Sequence, residues 1–142
     1  MTEVKPDAAK VGDELPKRAH NCDEIQSFFY NAVLWNAHKI HYDLPYATEV
    51  EGYEGLVVPG PLMGDWLTQI VEEWIDDTTA RLKKIEYSNR QAAFVGQSFE
   101  AGGQVVECNV VDGETVISVE LFVKNSDGEL LAPGKATVVC PL

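Results

Sequence analysis

The stretch that decides the fold is residues 61–75, PLMGDWLTQIVEEWI. Apolar side chains fall at Leu62, Met63, Trp66, Leu67, Ile70, Val71, Trp74 and Ile75. That is the i, i+3, i+4, i+7 recurrence of a buried helix face. Asp65, Gln69, Glu72, Glu73 and Asp76 populate the other side. Pro61 suits the first turn, because the N–H it lacks would have no intrahelical partner there. The two tryptophans read most simply as core, and the acidic pairs Glu72-Glu73 and Asp76-Asp77 as a solvated face.

Downstream of Leu82 the pattern changes from helical to alternating. Strands are expected over 83–95, 98–111, 115–125 and 130–139. Ala101-Gly102-Gly103 lies within or beside one of them, and Asp112-Gly113 and Asp127-Gly128 supply turns. Ile117, Val119, Leu121 and Val123 alternate with Ser118, Glu120, Phe122 and Lys124, so half of that strand faces a core. A long helix followed by a long antiparallel meander points to α+β, with the sheet wrapped on the helix.

Upstream, residues 1–12 read as a flexible polar lead-in and 13–142 as one domain. A short first strand fits within 17–25. Residues 27–35 hold Phe28, Phe29, Ala32, Val33 and Trp35, which suggests a short buried helix capped by Ser27. Residues 36–58, with Pro45, Gly52 and Gly55, form a long irregular segment. Loops of that length in a compact domain usually carry function.

The size allows one hydrophobic core: 142 residues, 45% of them apolar. The net charge of −12 argues against a nucleic-acid partner and against an anionic membrane surface. Arg81, Lys83 and Lys84 form a local basic cluster able to meet a phosphorylated cofactor. The three cysteines, Cys22, Cys108 and Cys140, show no C-x-x-C spacing. Neither a disulfide framework nor a zinc site is expected, and a reducing cytoplasm fits. The opening MTEVKPDAAK lacks the pattern of a signal peptide, and no window approaches the ~18 apolar residues of a membrane span. Dinucleotide, P-loop, serine-hydrolase and zinc-protease signatures are absent from the sequence.

The candidate chemistry lies in the irregular segment and at the helix start behind it. His41 is the side chain able to move a proton near neutral pH; a structural hydrogen-bonding role is an even alternative. Asn36 cannot titrate, but its amide can hold a water or a hydroxyl. Spacing alone favours a plainer reading, a turn residue after a helix. His38 and His41 lie three apart with only Asp43 as an evident third ligand, so no metal site is expected. His38 reads as a surface or hydrogen-bonding residue. Gly60, between Pro59 and Pro61, is either a tight turn or a point of close backbone approach to a ligand carbonyl.

The run NAHKIHYD over 36–43, then Tyr46-Ala47, Glu51-Gly52-Tyr53, Gly55-Leu56-Val57-Val58 and Gly60-Pro61-Leu62, resembles the hydratase signature of MaoC-like hot-dog proteins. It is most similar to the hydroxyacyl-thioester dehydratase type 2 and mesaconyl-CoA hydratase branch. The motif covers about a quarter of the chain, and the order of elements agrees over almost all of it. The resemblance implies a single hot-dog domain, a long antiparallel sheet around a central helix, that pairs into dimers. It implies hydration of enoyl thioesters, or dehydration of 3-hydroxyacyl thioesters, on coenzyme A or acyl carrier protein, with no metal or redox cofactor. The family's catalytic aspartate and histidine carry over to Asn36 and His41, and its carbonyl-binding glycine to Gly60. Tyr42, Val58, Pro59 and Leu62 are implied substrate contacts.

Two positions depart from the family pattern. Many members have aspartate at Asn36, although the branch most resembled uses asparagine. Histidine usually precedes the glycine, where this chain has Pro59, which changes how the chain enters the helix while keeping the Gly60 N–H. The departures motivate an alternative, a catalytically silent hot-dog subunit partnering an active chain. A hot-dog thioesterase is a third reading; it needs a carboxylate where Asn36 stands. A homodimer is the default assembly. A heterodimer with a second hot-dog chain is the alternative, because related enzymes often carry two hot-dog halves.

Overall fold

A helix with an apolar stripe and a half-buried sheet can each satisfy the other, and that pairing organises the molecule. The computed structural model describes residues 4–142. Among these, the regular elements in chain order are β1 (Arg18–Asn21), α1 (Glu24–Val33), α2 (Gly60–Ile75), β2 (Arg81–Tyr87), β3 (Ser98–Val111), β4 (Glu114–Asn125) and β5 (Leu130–Pro141). The five strands form one antiparallel sheet in the order β1-β3-β4-β5-β2. α2 packs on it with its whole apolar stripe, Leu62 to Ile75, buried. This is the wrapped-helix arrangement that the resemblance implies.

β4 shows the expected alternation, with Ile117, Val119, Leu121 and Val123 all buried against the core. Its hairpin with β3 turns through Asp112 and Gly113, at φ 51° and 79°. Two successive left-handed residues are what a two-residue type I′ hairpin requires, which is why the sequence is Asp-Gly there. α2 starts at Gly60, one residue ahead of the expected start, because the Pro59 carbonyl already accepts from Leu62 N at 3.0 Å.

Four expectations need correction. The strand expected over 83–95 stops at Tyr87. Tyr87 pairs with Gly134, and the next partner, Pro133, has no N–H to continue the ladder. Ser88 N instead donates to Pro133 O at 3.1 Å and Arg90 N to Leu131 O at 2.8 Å, so residues 88–93 form a loop strapped to the start of β5.

The early helix begins at Glu24, not Ser27, and its cap is Asp23, whose Oδ1 accepts from Gln26 N at 2.7 Å. Nor is that helix buried on its apolar side. Its buried residues are Ser27 and Asn31, while Ile25, Phe28, Phe29 and Val33 are exposed.

The 36–58 segment contains a 3-10 turn at Lys39–His41, a π turn at Tyr46–Val50 and an isolated bridge from Val57 to Phe94. Of the expected lead-in, residues 1–3 lie outside the described residues. From Val4 onward the backbone is docked on the core. Val4 O accepts from Trp74 Nε1 at 2.7 Å and Gly12 N donates to Val105 O at 2.8 Å. Polar composition concealed this, because main-chain atoms make those contacts.

Candidate active site

His41 is held from three sides. Its 3-10 turn is anchored by Ile40, which is buried with Ala47, Leu56 and Val57 and whose carbonyl accepts from Val57 N at 3.0 Å. The polar face of α1 supplies the second restraint: Ser27 Oγ donates to the His41 carbonyl at 3.2 Å. The third is on the ring, where Nδ1 lies 2.7 Å from Val57 O. A carbonyl oxygen only accepts, so Nδ1 carries the proton and the lone pair of Nε2 is left free. Burial holds the His41 pKa below its usual 6.5; the Val57 carbonyl opposes that shift, and neighbouring His38 adds to it. The imidazole is therefore neutral at pH 7 and able to take a proton through Nε2.

The start of α2 faces the same space. Pro59 offers no capping side chain, Pro61 has no N–H, and Leu62 N bonds Pro59 O. Gly60 N–H is thus a first-turn donor without a protein acceptor among the described residues. His41 and Gly60 line one cavity of about 350 Å³, together with Tyr53, Val58, Met63 and Asn89. A hollow of about 590 Å³ on the outer side of the sheet is larger, but lysines and glutamates mix in its lining and it contains neither group.

Of the residues expected at the site, the structure brings His41, Gly60 and Val58 onto one wall. Pro59 is buried as the cap residue and Leu62 is buried in the core behind it. Tyr42 lines a separate groove of about 320 Å³ with Ile25, Phe28, Phe29 and Leu56. Its hydroxyl donates to Ala37 O at 3.0 Å. Asn36 follows Trp35, which takes the left-handed turn conformation at φ 59°. The Asn36 Oδ1 accepts from His38 N at 3.1 Å, and the residue does not line the cavity. The left-handed position after the helix is thus Trp35, and Asn36 closes the turn by its side chain.

Asn89, Arg90 and Gln91 also line the cavity and were missed. Their signal was present: Ser88-Asn89-Arg90-Gln91 is a polar run without alternation, inside a segment read as strand. The basic cluster is not at this site. Arg81 of the edge strand β2 pairs with Glu114 of β4 at 2.8 Å, and Lys84 pairs with Glu86 within β2 at 3.2 Å. His38 meets the His41 ring edge to face, with centroids 5.8 Å apart, and Asp43 Oδ1 caps Tyr46 N at 3.1 Å. Among the described residues no group of three His, Cys, Asp or Glu side chains is placed to hold a metal ion. The three cysteines are free thiols. No helix among the described residues is long and apolar enough to cross a membrane.

Comparison with known proteins gives concordant matches. The family model for hydroxyacyl-thioester dehydratase type 2 matches residues 2–95. The mitochondrial hydroxyacyl-thioester dehydratase type 2 of Schizosaccharomyces pombe is 36% identical over 73 residues, 51% of this chain and 24% of that protein. Mesaconyl-C(4)-CoA hydratase of Chloroflexus aurantiacus is 54% identical over 43 residues, 30% of this chain and 15% of that protein. The matched stretches thus span about a quarter or less of these relatives' own length. An (R)-hydratase from A. caviae involved in PHA biosynthesis has a solved structure that matches with a TM-score of 0.81 at 16% identity, covering 94% of this chain and 98% of that one. At that identity the match speaks to the fold alone, and the fold is the hot-dog.

Proposed function

The chain belongs to the hydroxyacyl-thioester dehydratase type 2 family, and from that premise we propose that it adds water to enoyl thioesters, or removes it from 3-hydroxyacyl thioesters, carried on coenzyme A or acyl carrier protein. The observation that supports this most is the pairing in one cavity of a neutral histidine, Nε2 lone pair free, with the unpartnered Gly60 N–H.

In the hydration direction the thioester carbonyl accepts from Gly60 N–H at the positive end of the α2 dipole. His41 Nε2 takes a proton from water, and the water oxygen bonds to Cβ. The alkene electron pair moves onto the carbonyl oxygen as an enolate. That oxygen gains charge only as the reaction proceeds, so the hydrogen bond strengthens in the transition state. The imidazolium then returns a proton to Cα. One water is consumed and His41 is neutral again. Dehydration is the reverse. Addition of water transfers no net electrons, so the chemistry requires no redox cofactor, and the backbone donor does what a Lewis acid would.

Asn36 stands outside the cavity wall and is assigned to water orientation on the family resemblance alone. Its Oδ1 is engaged by His38 N–H, which leaves the amide NH₂ for the water oxygen. It cannot exchange protons, so both transfers pass through His41. Val58 is assigned to the acyl wall; Tyr42, Pro59 and Leu62 contribute from outside the cavity, by shaping the loop and the helix start.

The chain acts as a dimer in this reading. Strands β1 and β2 are sheet edges, and the apolar side of α1 is uncovered. Exposed edges and apolar patches are normally paired or buried. A homodimer is the simplest closed pair, with a second hot-dog chain as the alternative. Three free thiols suit the cytoplasm.

The test is purified chain with crotonyl-CoA. Hydration removes the enoyl absorbance without releasing thiol. Thiol release identifies a thioesterase instead, and a folded chain that does neither is the silent subunit.

A further inference from the structure

Gly60 is not a glycine for its backbone. It lies in α2 and is not among the residues with positive φ. The space beside it gives the reason. A Cβ built at Gly60 would lie 2.3 Å from Asn89 Nδ2 and 2.9 Å from Asn89 Cγ, so the Asn89 amide occupies the place of the missing side chain. No L side chain at position 60 is compatible with Asn89 where it stands.

The backbone on either side of Asn89 is held by its neighbours. Ser88 N and Arg90 N are tied to Pro133 O and Leu131 O of β5, at 3.1 and 2.8 Å. Both flanking residues are fixed to one strand, and the side chain between them reaches to the start of α2. Nδ2 is the amide atom nearer the Gly60 Cβ position, with Oδ1 at 3.5 Å. Asn89 is an exposed residue whose amide is open to the same cavity that His41 and Gly60 line.

From this juxtaposition we infer that Asn89 is a second hydrogen-bond donor to the substrate's thioester oxygen, beside Gly60 N–H. The inference rests on the proposed function and deepens it. A backbone N–H and a side-chain N–H₂ that line one cavity side by side suit an oxygen that becomes negative, because both donors are in place before the charge appears. An amide oxygen turned the same way would repel that oxygen, so the ligand selects the orientation with Nδ2 inward. Gly60 then serves twice: it offers its own N–H, and it makes room for the second donor.

The test is Asn89→Ala assayed with crotonyl-CoA. Loss of one such donor lowers kcat by about 100-fold, with KM within about threefold and the pH profile unmoved, because His41 is untouched. A thermal melt confirms that the variant is folded. Carbonyl infrared difference spectra of ¹³C=O crotonyl-CoA, recorded in a His41→Ala background to prevent turnover, supply a readout that a packing role would not move. Adding Asn89→Ala shifts the bound band back towards its solution position. Gly60→Ala/Asn89→Ala separates donor from spacer: as a donor pair the double variant is at least as slow as Asn89→Ala, whereas a mere spacer is relieved and rate returns. Turnover within twofold of wild type in Asn89→Ala, or a recovered double variant, overturns the role of Asn89 alone. A wild type that neither turns over nor perturbs the carbonyl band of any thioester overturns the proposed function, and Asn89 with it.

Discussion

Along α2 the apolar stripe is buried from end to end, with Leu67 and Val71 fully inaccessible. Along α1 the pattern is inverted: Phe29 is 62% and Val33 84% exposed, while the buried residues are Ser27 and Asn31. In sequence both segments read as buried helices. Periodicity identifies an apolar face, but it does not say that the face has a partner within the chain. α2 has one because the sheet wraps it. α1 turns its polar face inward because its neighbour there is the main chain around His41, which asks for hydrogen bonds. Ser27 Oγ donates to His41 O, and Asn31 Nδ2 donates to Ser27 O at 2.8 Å.

Trp74→Ala should break the molecule where the comparison says it is strongest. It empties a site that is 1% exposed and removes the Nε1 donor to Val4 O. The expected loss is about 3–5 kcal/mol by denaturant unfolding. A loss below about 1 kcal/mol would mean that α2 is not the centre of the core.

His41→Ala should leave a folded chain whose kcat has fallen by at least ~100-fold. Near-normal turnover would remove His41 from the mechanism. In the proposed mechanism the rate depends on the neutral imidazole, so kcat/KM should be flat around pH 7 and fall only below 6.5, as pH drops through the lowered His41 value. Stability follows the same sign. His41 and His20 are both held below 6.5, chiefly by burial. Below that pH the unfolded chain binds more protons than the folded one. Stability is therefore full above about pH 6.5, declines as pH falls towards the folded values, and levels off beneath them. His41→Ala should flatten part of that decline.

Ser27→Ala sharpens the contrast from the polar side of α1. It deletes one neutral hydrogen bond, for about 1 kcal/mol, and loosens the His41 turn, so kcat should fall more than KM rises. Unchanged kcat would show that the loop holds His41 without α1.

The smallest effect on the folded chain is expected on the apolar side. Phe29→Ser should change monomer stability by no more than about 0.5 kcal/mol, yet weaken self-association in sedimentation if that face is covered in the dimer. A large loss of stability with unchanged assembly would show that Phe29 is core after all.

The fold was legible where local pattern and tertiary partner agree. The spacing of Leu62 to Ile75, the alternation of Ile117 to Val123 and the Asp112-Gly113 turn each carry their structure in a few neighbouring residues. The 83–95 strand misled because its end is imposed by Pro133 on another strand, more than forty positions on. Likewise, Ser27 reads as a cap by type, but Asp23 took that place and left Ser27 to hold His41.

By itself the sequence determined that a buried helix and an alternating sheet would pair, because periodicity is a local property, and it offered His41 and Gly60 as candidates through side-chain type and family resemblance. Only the tertiary structure decided which hydrogen-bond partner fixes the His41 tautomer, that Asn36 and Tyr42 stand outside the cavity wall, and that Asn89 fills the space a Cβ would take at Gly60. Those facts depend on distances between segments far apart in the chain, and such distances are set by how helix and sheet pack, which no short window of sequence contains.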